Sequence, residues 1–455
     1  MTEAMLLAAR RAAVAAASAL LTILAFFTGQ TAFAFCGFYV AQGDAPLYNE
    51  SSKVVLAWDD GKISVTMASD YRGEPKEFGL VVPVPVVVQK SDIRVVNMSL
   101  VDKLDAYTAP RMTEYFDDPC PRPLVLYDLA MGGNAMVPKP TTRAAPPTIS
   151  IEAQYQVGVY DIVILRAAES GDLVDYLTRN GYRIPAGAED VLGSYIAQNM
   201  HFFLAKVNLA RQNAAGEKFL RPLQVSYKSP KFMLPIRLGT VNAQGPQDLL
   251  VYALTRHGRV EATNYRTAKM ATKVPVPVYV RNELAPVYKA AFERQIRQDG
   301  MSNIYTEYAW GLNTFCDPCI APQLDSTELF VLGAHWLYPD VAPDKDPAAM
   351  PQLGSVGTAG FLTRLHVRYD RAHFPEDLQF EETGDTSSYQ VVYSVHHPWR
   401  GDAHSCPEAA EYLHSLPARF ESEAANLAQL TGWNTDDIRK RMAQTEEPAP
   451  EVGTP

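Results

Sequence analysis

The sequence predicts an α+β fold: mainly antiparallel sheets with short flanking helices and a helical C-terminal segment. Three observations lead there. Stretches of β character outnumber helical ones. Turns join most of them, where a doubly wound fold would need long helices. Hydrophobic residues make up 47% of the 455 and charged residues 20%, enough apolar surface to bury a core. At roughly 100–200 residues per domain, the length allows two to four domains. The formal charge is −10 without a basic block, which argues against binding driven by nucleic-acid phosphates.

The chain opens on a targeting segment. Arg10 and Arg11 precede an uncharged apolar run, Ala12 to Phe27, which Gly29 ends. Ala32-Phe33-Ala34 supplies a small-x-small cleavage pattern, so residues 1–34 read as a secretory signal peptide cut between Ala34 and Phe35. The competing reading, an uncleaved anchor, needs roughly 20 apolar residues. No later stretch is apolar enough to span a membrane, so the processed chain is expected to be soluble and periplasmic or secreted.

Residues 35–128 form a first α+β part. Val54, Leu56 and Trp58 alternate on one strand and Ile63, Val65 and Met67 on the next, with Asp60-Gly61 as a tight hairpin turn. Phe78 to Val88 is β-rich, and Pro83 and Pro85 suggest an edge or bulged strand. Ser99 to Phe116 reads as a helix interrupted at Pro110. Residues 129–147, rich in Gly, Pro and Thr, read as a linker or long loop.

A second α+β part is expected over 148–337. It begins with strands over 149–167 and a short helix from Ser170 that ends at Asn180-Gly181. Another helix follows over 188–198. Strands are expected over 201–209, 223–227, 232–238, 249–255 and 259–263, with Arg256-His257-Gly258 closing the last two as a hairpin. Tyr288, Phe292 and Ile296 at i+4 spacing mark a helix from Glu283 to Arg297, ended by Gly300. Residues 338–360 read as a linker. Residues 361–444 carry strands over 361–369 and 389–395 and helices over 408–430 and 436–442. The tail, 445–455, has the composition of disorder.

All five cysteines, Cys36, Cys120, Cys316, Cys319 and Cys406, fall after the targeting segment, where disulfides are the ordinary fate. Cys316-Asp317-Pro318-Cys319 admits a redox pair, a zinc half-site or a structural short-loop disulfide. A redox pair needs a helix starting at the first cysteine, and Pro322 would lie inside it. The preceding YAWGLNT is a poor substitute for the hydrophobic strand such sites follow. Zinc needs two more ligands, and no second CxxC or HxxxH exists. The structural disulfide is favoured, ahead of a helix capped by Asp325-Ser326-Thr327-Glu328.

Several segments now fall into a familiar order: FCGFYVAQGDAPLYNESSKVVLAWDDGK, SDYRGEPKEFGLVVPVPV, LVDKLDAYTAPRMTEYFDDPCP, YDIVIL, NGYRIP, SYKSPKFMLPIRLG and CDPC. Together, over about residues 35–335, they resemble a bacterial family of exported proteins known only as a domain of unknown function. LHVRYDRAHFPEDLQF, HHPW and LTGWNTDDIRKRM suggest that some relatives share the C-terminal part. Relatives often carry a second early cysteine beside the first, which this chain lacks. The resemblance brings no activity and no catalytic residue. From compartment and chain order, Cys36 and Cys120 are expected to form a second bridge.

A P-loop, a GxSxG elbow and an HExxH helix are absent from the sequence. Six of nine histidines, His366, His373, His396, His397, His404 and His414, crowd into the last 90 residues, the best hint of a metal site. Against it, His396 and His397 are adjacent on a strand and point to opposite faces. Glu411 and His414, at i, i+3, have no second such pair. Asp102, Asp105 and Glu114, beside Lys103 and Arg111, could do acid–base work or lie on a solvated helix face. Asp117-Asp118 is a turn signal. The 46 aromatic residues, 23 of them Tyr, could line a binding groove or pack sheets.

The expected function is therefore a non-catalytic binding or structural protein of the cell envelope, with no cofactor and no nucleic-acid partner. The alternative is a periplasmic thiol–disulfide or metal-dependent enzyme using Cys316/Cys319 or the C-terminal histidines.

Overall fold

A computed structural model describes residues 38–42, 48–72, 78–120, 151–185, 187–208, 210–211, 220–241, 243, 245–314, 319, 321–343, 345–350 and 359–444. The expected signal peptide, the 129–147 linker and the tail lie outside them.

The first elements are β1 (Phe38–Gln42), β2 (Tyr48–Asp59), β3 (Lys62–Arg72), β4 (Phe78–Val84), β5 (Ile93–Val95), α1 (Met98–Thr108), β6 (Arg111–Phe116), β7 (Ile151–Val157) and β8 (Tyr160–Leu165). Then come α2 (Ser170–Arg179), β9 (Tyr182–Arg183), α3 (Ala188–Ile196), β10 (His201–Val207), β11 (Leu223–Lys228), β12 (Met233–Leu234), β13 (Gln247–Thr255), β14 (Val260–Ala262), β15 (Arg266–Lys269) and β16 (Val274–Pro275). The last are α4 (Leu284–Asp299), β17 (Asn303–Gly311), α5 (Ser326–Val331), β18 (Phe361–Tyr369), β19 (Leu378–Glu382), β20 (Tyr389–Gln390), β21 (Val392–His397), α6 (Ala409–Thr431) and α7 (Thr435–Gln444).

The α+β class holds. A six-stranded sheet has the order β7-β8-β10-β4-β1-β9. A nine-stranded sheet runs β15-β17-β18-β13-β2-β3-β11-β5, with β20 on β17. Most pairings are antiparallel; β2 with β13 and β15 with β17 are parallel, as are the pairs of the small β16-β21-β6 sheet. The nine-stranded sheet draws strands from all three of the expected parts of the chain.

Side-chain alternation explains the layers. Val54 and Leu56 of β2 face the six-stranded sheet, sharing one core with Ile162, Ile164, Phe203 and Ala205. Val55 and Ala57 face the other way, against Val101 and Leu104 of α1 and Leu329 of α5. The unbroken run Val54-Val55-Leu56-Ala57 is thus the signature of a strand buried on both faces. On the outer side of the six-stranded sheet, Phe202 and Leu204 meet Leu173 and Leu177 of α2 and Val191 of α3. A fourth cluster joins β21, α4, α6 and α7 through Tyr393, Phe292, Leu427 and Ile438.

The β2–β3 hairpin forms as expected, with Asp59 opposite Lys62 and positive φ at Asp60 (45°) and Gly61 (79°). Gly300 ends α4 in the left-handed region (φ 64°), and Asp325 and Glu328 form the capping box of α5.

Other expectations are corrected. The helix ends at Thr108, because Ala109 before Pro110 is extended, and residues 111–116 form β6 instead. β4 is not an edge strand: it lies inside its sheet, between β1 and β10, with Phe38, the first described residue of β1, opposite its Val81. Residues 256–258 close no hairpin: β13 pairs with β2 and β18, and β14 with β19. Residues 233–234 form only a two-residue strand before a 3-10 turn over 237–241. A strand, β17, does precede the CxxC segment. Within 338–360, Tyr338 and Met350 pack on Phe330. Among the described residues no helix is long and apolar enough to cross a membrane.

Candidate functional site

Two clusters of polar side chains stand out, and they differ in how well their members are satisfied. The first is buried on the nine-stranded sheet. A bulge in β17 opposite β18 falls at Glu307, which is fully buried. Its Oε2 accepts from Arg364 Nε at 2.6 Å. Its Oε1 accepts from the Tyr288 hydroxyl and lies 2.7 Å from His366 Nδ1. Burial pushes the Glu307 carboxyl up, but Arg364 and His366 outweigh it and hold it at about 2. Arg364 also reaches Asp105 (2.7 Å), which takes Lys53 (2.7 Å) and the Tyr252 hydroxyl (2.8 Å). Asp105 is therefore no solvated helix residue; it ties α1 to the sheet. Asp102 adds a bond from Lys53 at 3.2 Å, and Lys103 pairs with Glu328 at 2.6 Å. Arg111 is fully buried, donates to the Tyr107 carbonyl and lies 5.5 Å over the Tyr308 ring. The charged groups of this cluster are paired with one another, the pattern of a structural network, although the Tyr308 hydroxyl keeps no hydrogen-bond partner.

The second cluster surrounds a cleft of about 560 Å³ at the C-terminal end of the fold. Parallel pairing of β6 with β21 builds one wall, setting Tyr115 beside His396 and Phe116 beside His397. The rings stack at 4.8 and 4.4 Å. As adjacent strand residues the two histidines face opposite ways, and each takes its own carboxylate. His397 pairs with Glu114 at 2.7 Å and His396 with Asp117 at 3.4 Å. Phe116 and His397 line the cleft, and Phe116 is 76% exposed. Pro277, Val278 and Tyr279 form a second wall. Helices α6 and α7 complete it with Phe420, Glu421, Glu423, Arg439, Met442 and Ala443, and Arg400 joins from the loop after β21.

At this cleft three side chains keep buried polar atoms without hydrogen-bond partners: Tyr279, Glu423 and, at Nε and Nη2, Arg419. Tyr279 is 5% exposed, and its hydroxyl makes no hydrogen bond. Glu423 is 1% exposed, and its Oε1 makes none either. Arg419 Nε lies 3.3 Å from that oxygen but is not aligned to donate to it. The directed bond of Arg419 goes instead to Asp117, which the Tyr412 hydroxyl also reaches at 2.6 Å. Burial pushes the Glu423 carboxyl up to about 7; Arg419 opposes this and Asp117 adds to it. Burial raises Asp117 too, but bonds from Tyr412 and Arg419 outweigh it and hold that carboxyl below its ordinary value.

A disulfide braces the same region. Cys120, just beyond β6, is bonded to Cys406, with Cα atoms 5.7 Å apart. This corrects the expected Cys36–Cys120 bridge: pairing of β6 with β21 carries Cys120 to the far end of the chain, and chain order gave no hint of it. Cys319 is also disulfide-bonded. Cys36 and Cys316, like Ala34 and Phe35, lie outside the described residues.

The other predicted site residues scatter. His366 is stacked on Phe292 at 3.7 Å inside the first cluster. His373 and His404 each pair with a neighbouring aspartate, Asp370 and Asp402. Glu411 and His414 are exposed on α6. Among the described residues no group of three or more His, Cys, Asp or Glu is placed to hold a metal ion. Sequence reasoning passed over Tyr279, Phe420 and Glu423. One signal was present: Glu423 lies between Phe420 and Leu427, on the apolar stripe of α6, where a carboxylate is out of place.

No well-characterised protein and no experimentally solved structure matches this chain. A family described as uncharacterised and conserved in bacteria matches residues 30–381, so its match takes in one wall of the cleft and stops before β21, α6 and α7. The chain belongs to that family, DUF2330.

Proposed function

We propose that the chain is exported and works as a binding protein of the cell envelope, with the cleft between β6, β21, α6 and α7 as its ligand site. One observation carries the reading. Tyr279 and Glu423 keep buried polar atoms without hydrogen-bond partners on the wall of a cleft that aromatic and apolar side chains share with His397, Arg400, Glu421 and Arg439. Each such atom costs about 1–3 kcal/mol unless something satisfies it. A cleft of this size, mostly apolar with a few converging polar groups, has the character of a small-ligand site. Export is supported by the apolar N-terminal run and by the Cys120–Cys406 disulfide, a bond that persists in oxidising compartments.

The test is retention of a ligand. Purified protein is incubated with an envelope extract, and the bound small molecules are identified by mass spectrometry. The control is Ala443→Trp, which fills the cleft from an exposed position on its rim. Enrichment on the wild type alone supports the reading. Equal retention by both, or by neither, refutes it. Export is tested separately: the mature chain should begin at Phe35, and a membrane-held 455-residue chain would overturn cleavage.

A further inference from the structure

The small sheet that walls the cleft ends on an open edge. Its strand order is β16-β21-β6, and among the described residues no strand pairs with the far side of β6. The ladder on the near side fixes what that edge presents. The Arg111 amide donates to the Val391 carbonyl and the Asp117 amide to that of His397. Residues take turns along a parallel ladder, so 111, 113, 115 and 117 direct their main-chain groups at β21. Met112, Glu114 and Phe116 direct theirs outward. Each offers an N–H and a C=O, and the offer repeats every two residues, roughly 6.6 Å along the strand.

Exposed edges are normally blunted by Lys, Pro or a covering element. Residues 111–116 hold neither Lys nor Pro, and Tyr115 and Phe116 stand 49% and 76% exposed. The edge also leads into the cleft. Met112, Glu114 and Phe116 alternate onto one face of β6, where Phe116 stacks on His397, and both rings line the cleft. A strand laid along β6, about 4.8 Å out, would send every second side chain to that face, beside Phe116. A compact small molecule can satisfy one N–H and C=O pair. The repeated pair is matched by another main chain in extended form.

Resting on the cleft being a ligand site, we propose that its ligand is an extended peptide, added as a strand to the open edge of β6 with one apolar side chain seated in the cleft among Phe116, Phe420 and Met442. Main-chain bonds to Met112, Glu114 and Phe116 hold the peptide whatever its sequence, and the cleft selects the side chain.

Capped heptapeptides titrated by NMR into the purified chain test this. The parent, TSTFTST, should bind at least fivefold more tightly than TSTSTST, which has no side chain for the cleft. Two further forms of the parent carry N-methyl groups on one or the other alternate set of amides. One set faces β6 and the other faces water, so one form should lose at least tenfold and the other should bind. Glu114→Pro removes an outward N–H and leaves the β21 ladder whole; it should lose at least tenfold more affinity than Glu114→Ala, which sheds the same carboxylate and keeps the N–H. If both methylated forms bind like the parent, strand addition falls. If TSTSTST binds as well as the parent, the cleft has no share in the peptide and the proposal falls. A dimer of the chain that Glu114→Pro dissolves and the peptide does not would assign the edge to a second copy instead. If no peptide binds, or the envelope extract yields a bound molecule without a peptide main chain, the peptide falls while a ligand blocked by Ala443→Trp keeps the cleft reading standing. If neither peptide nor extract yields a ligand, both readings fall.

Discussion

Glu423 makes the sharpest stability prediction. Its carboxyl is held at about 7 in the folded protein, against 4.5 for an ordinary glutamate. The folded state thus holds the proton more tightly than the unfolded state, and linkage sets the sign. Below pH 4.5 the group is protonated in both states and costs nothing. Between 4.5 and 7 the unfolded chain ionises first, so stability falls as pH rises. Above 7 the full cost is present. At 1.36 kcal/mol per pH unit, that cost is about 3 kcal/mol. Glu423→Gln removes the ionisation and keeps the shape. It should match the wild type at pH 4.5 and exceed it by about 1–3 kcal/mol at pH 8, since the amide also needs a partner. Urea denaturation of both proteins at pH 4.5, 6, 7 and 8 reads the difference directly. A gain independent of pH would refute the reasoning. So would a variant less stable at pH 8, since that would make the Arg419 contact a strong buried ion pair whose loss strands the arginine.

Cys406→Ser opens a bridge between residues 286 apart in sequence and should lower stability by about 2–4 kcal/mol; a Cys36–Cys120 peptide in non-reducing mapping would overturn the pairing. Arg364→Met strands the buried Glu307 carboxylate and should cost about 3–5 kcal/mol in denaturant unfolding, with less than about 1 kcal/mol refuting the network's role. Because Glu307 is held at about 2, its contribution should be complete above pH 4.5 and lost as pH falls towards 2, visible as a steep acid limb that Glu307→Gln flattens. Gly333→Ala would place a Cβ 2.5 Å from Ser64 Cβ at a φ of 109°, so thermal melting should show a loss of at least about 2 kcal/mol; a wild-type melting point would refute the close approach.

Much of the local structure is legible without coordinates, because local rules decide it. Asp60-Gly61 supplies the positive φ of a hairpin turn, Gly300 the left-handed residue that ends α4, and Asp325 with Glu328 the cap of α5. The run from Val54 to Ala57 is apolar at every position because both of its faces are covered. Pro110 marks a boundary in the sequence, but residues 111–116 become a strand because β21, nearly 300 residues away, offers β6 a ladder. The failed hairpin at 256–258 has the same cause: β13 finds partners in β2 and β18, remote strands that cover its length better than β14 does. The candidate site shows the division most clearly. His396, His397, Glu114, Asp117, Cys120 and Cys406 each carry chemistry that residue type alone makes visible. Their meeting depends on one parallel strand pair, and no spacing in the chain encodes it. Glu423 stands out in the sequence only by its place between Phe420 and Leu427 on the apolar stripe of α6. Only the packing of α6 against its neighbours takes it from water, leaves Arg419 committed to Asp117, and turns a surface residue type into an unsatisfied buried acid.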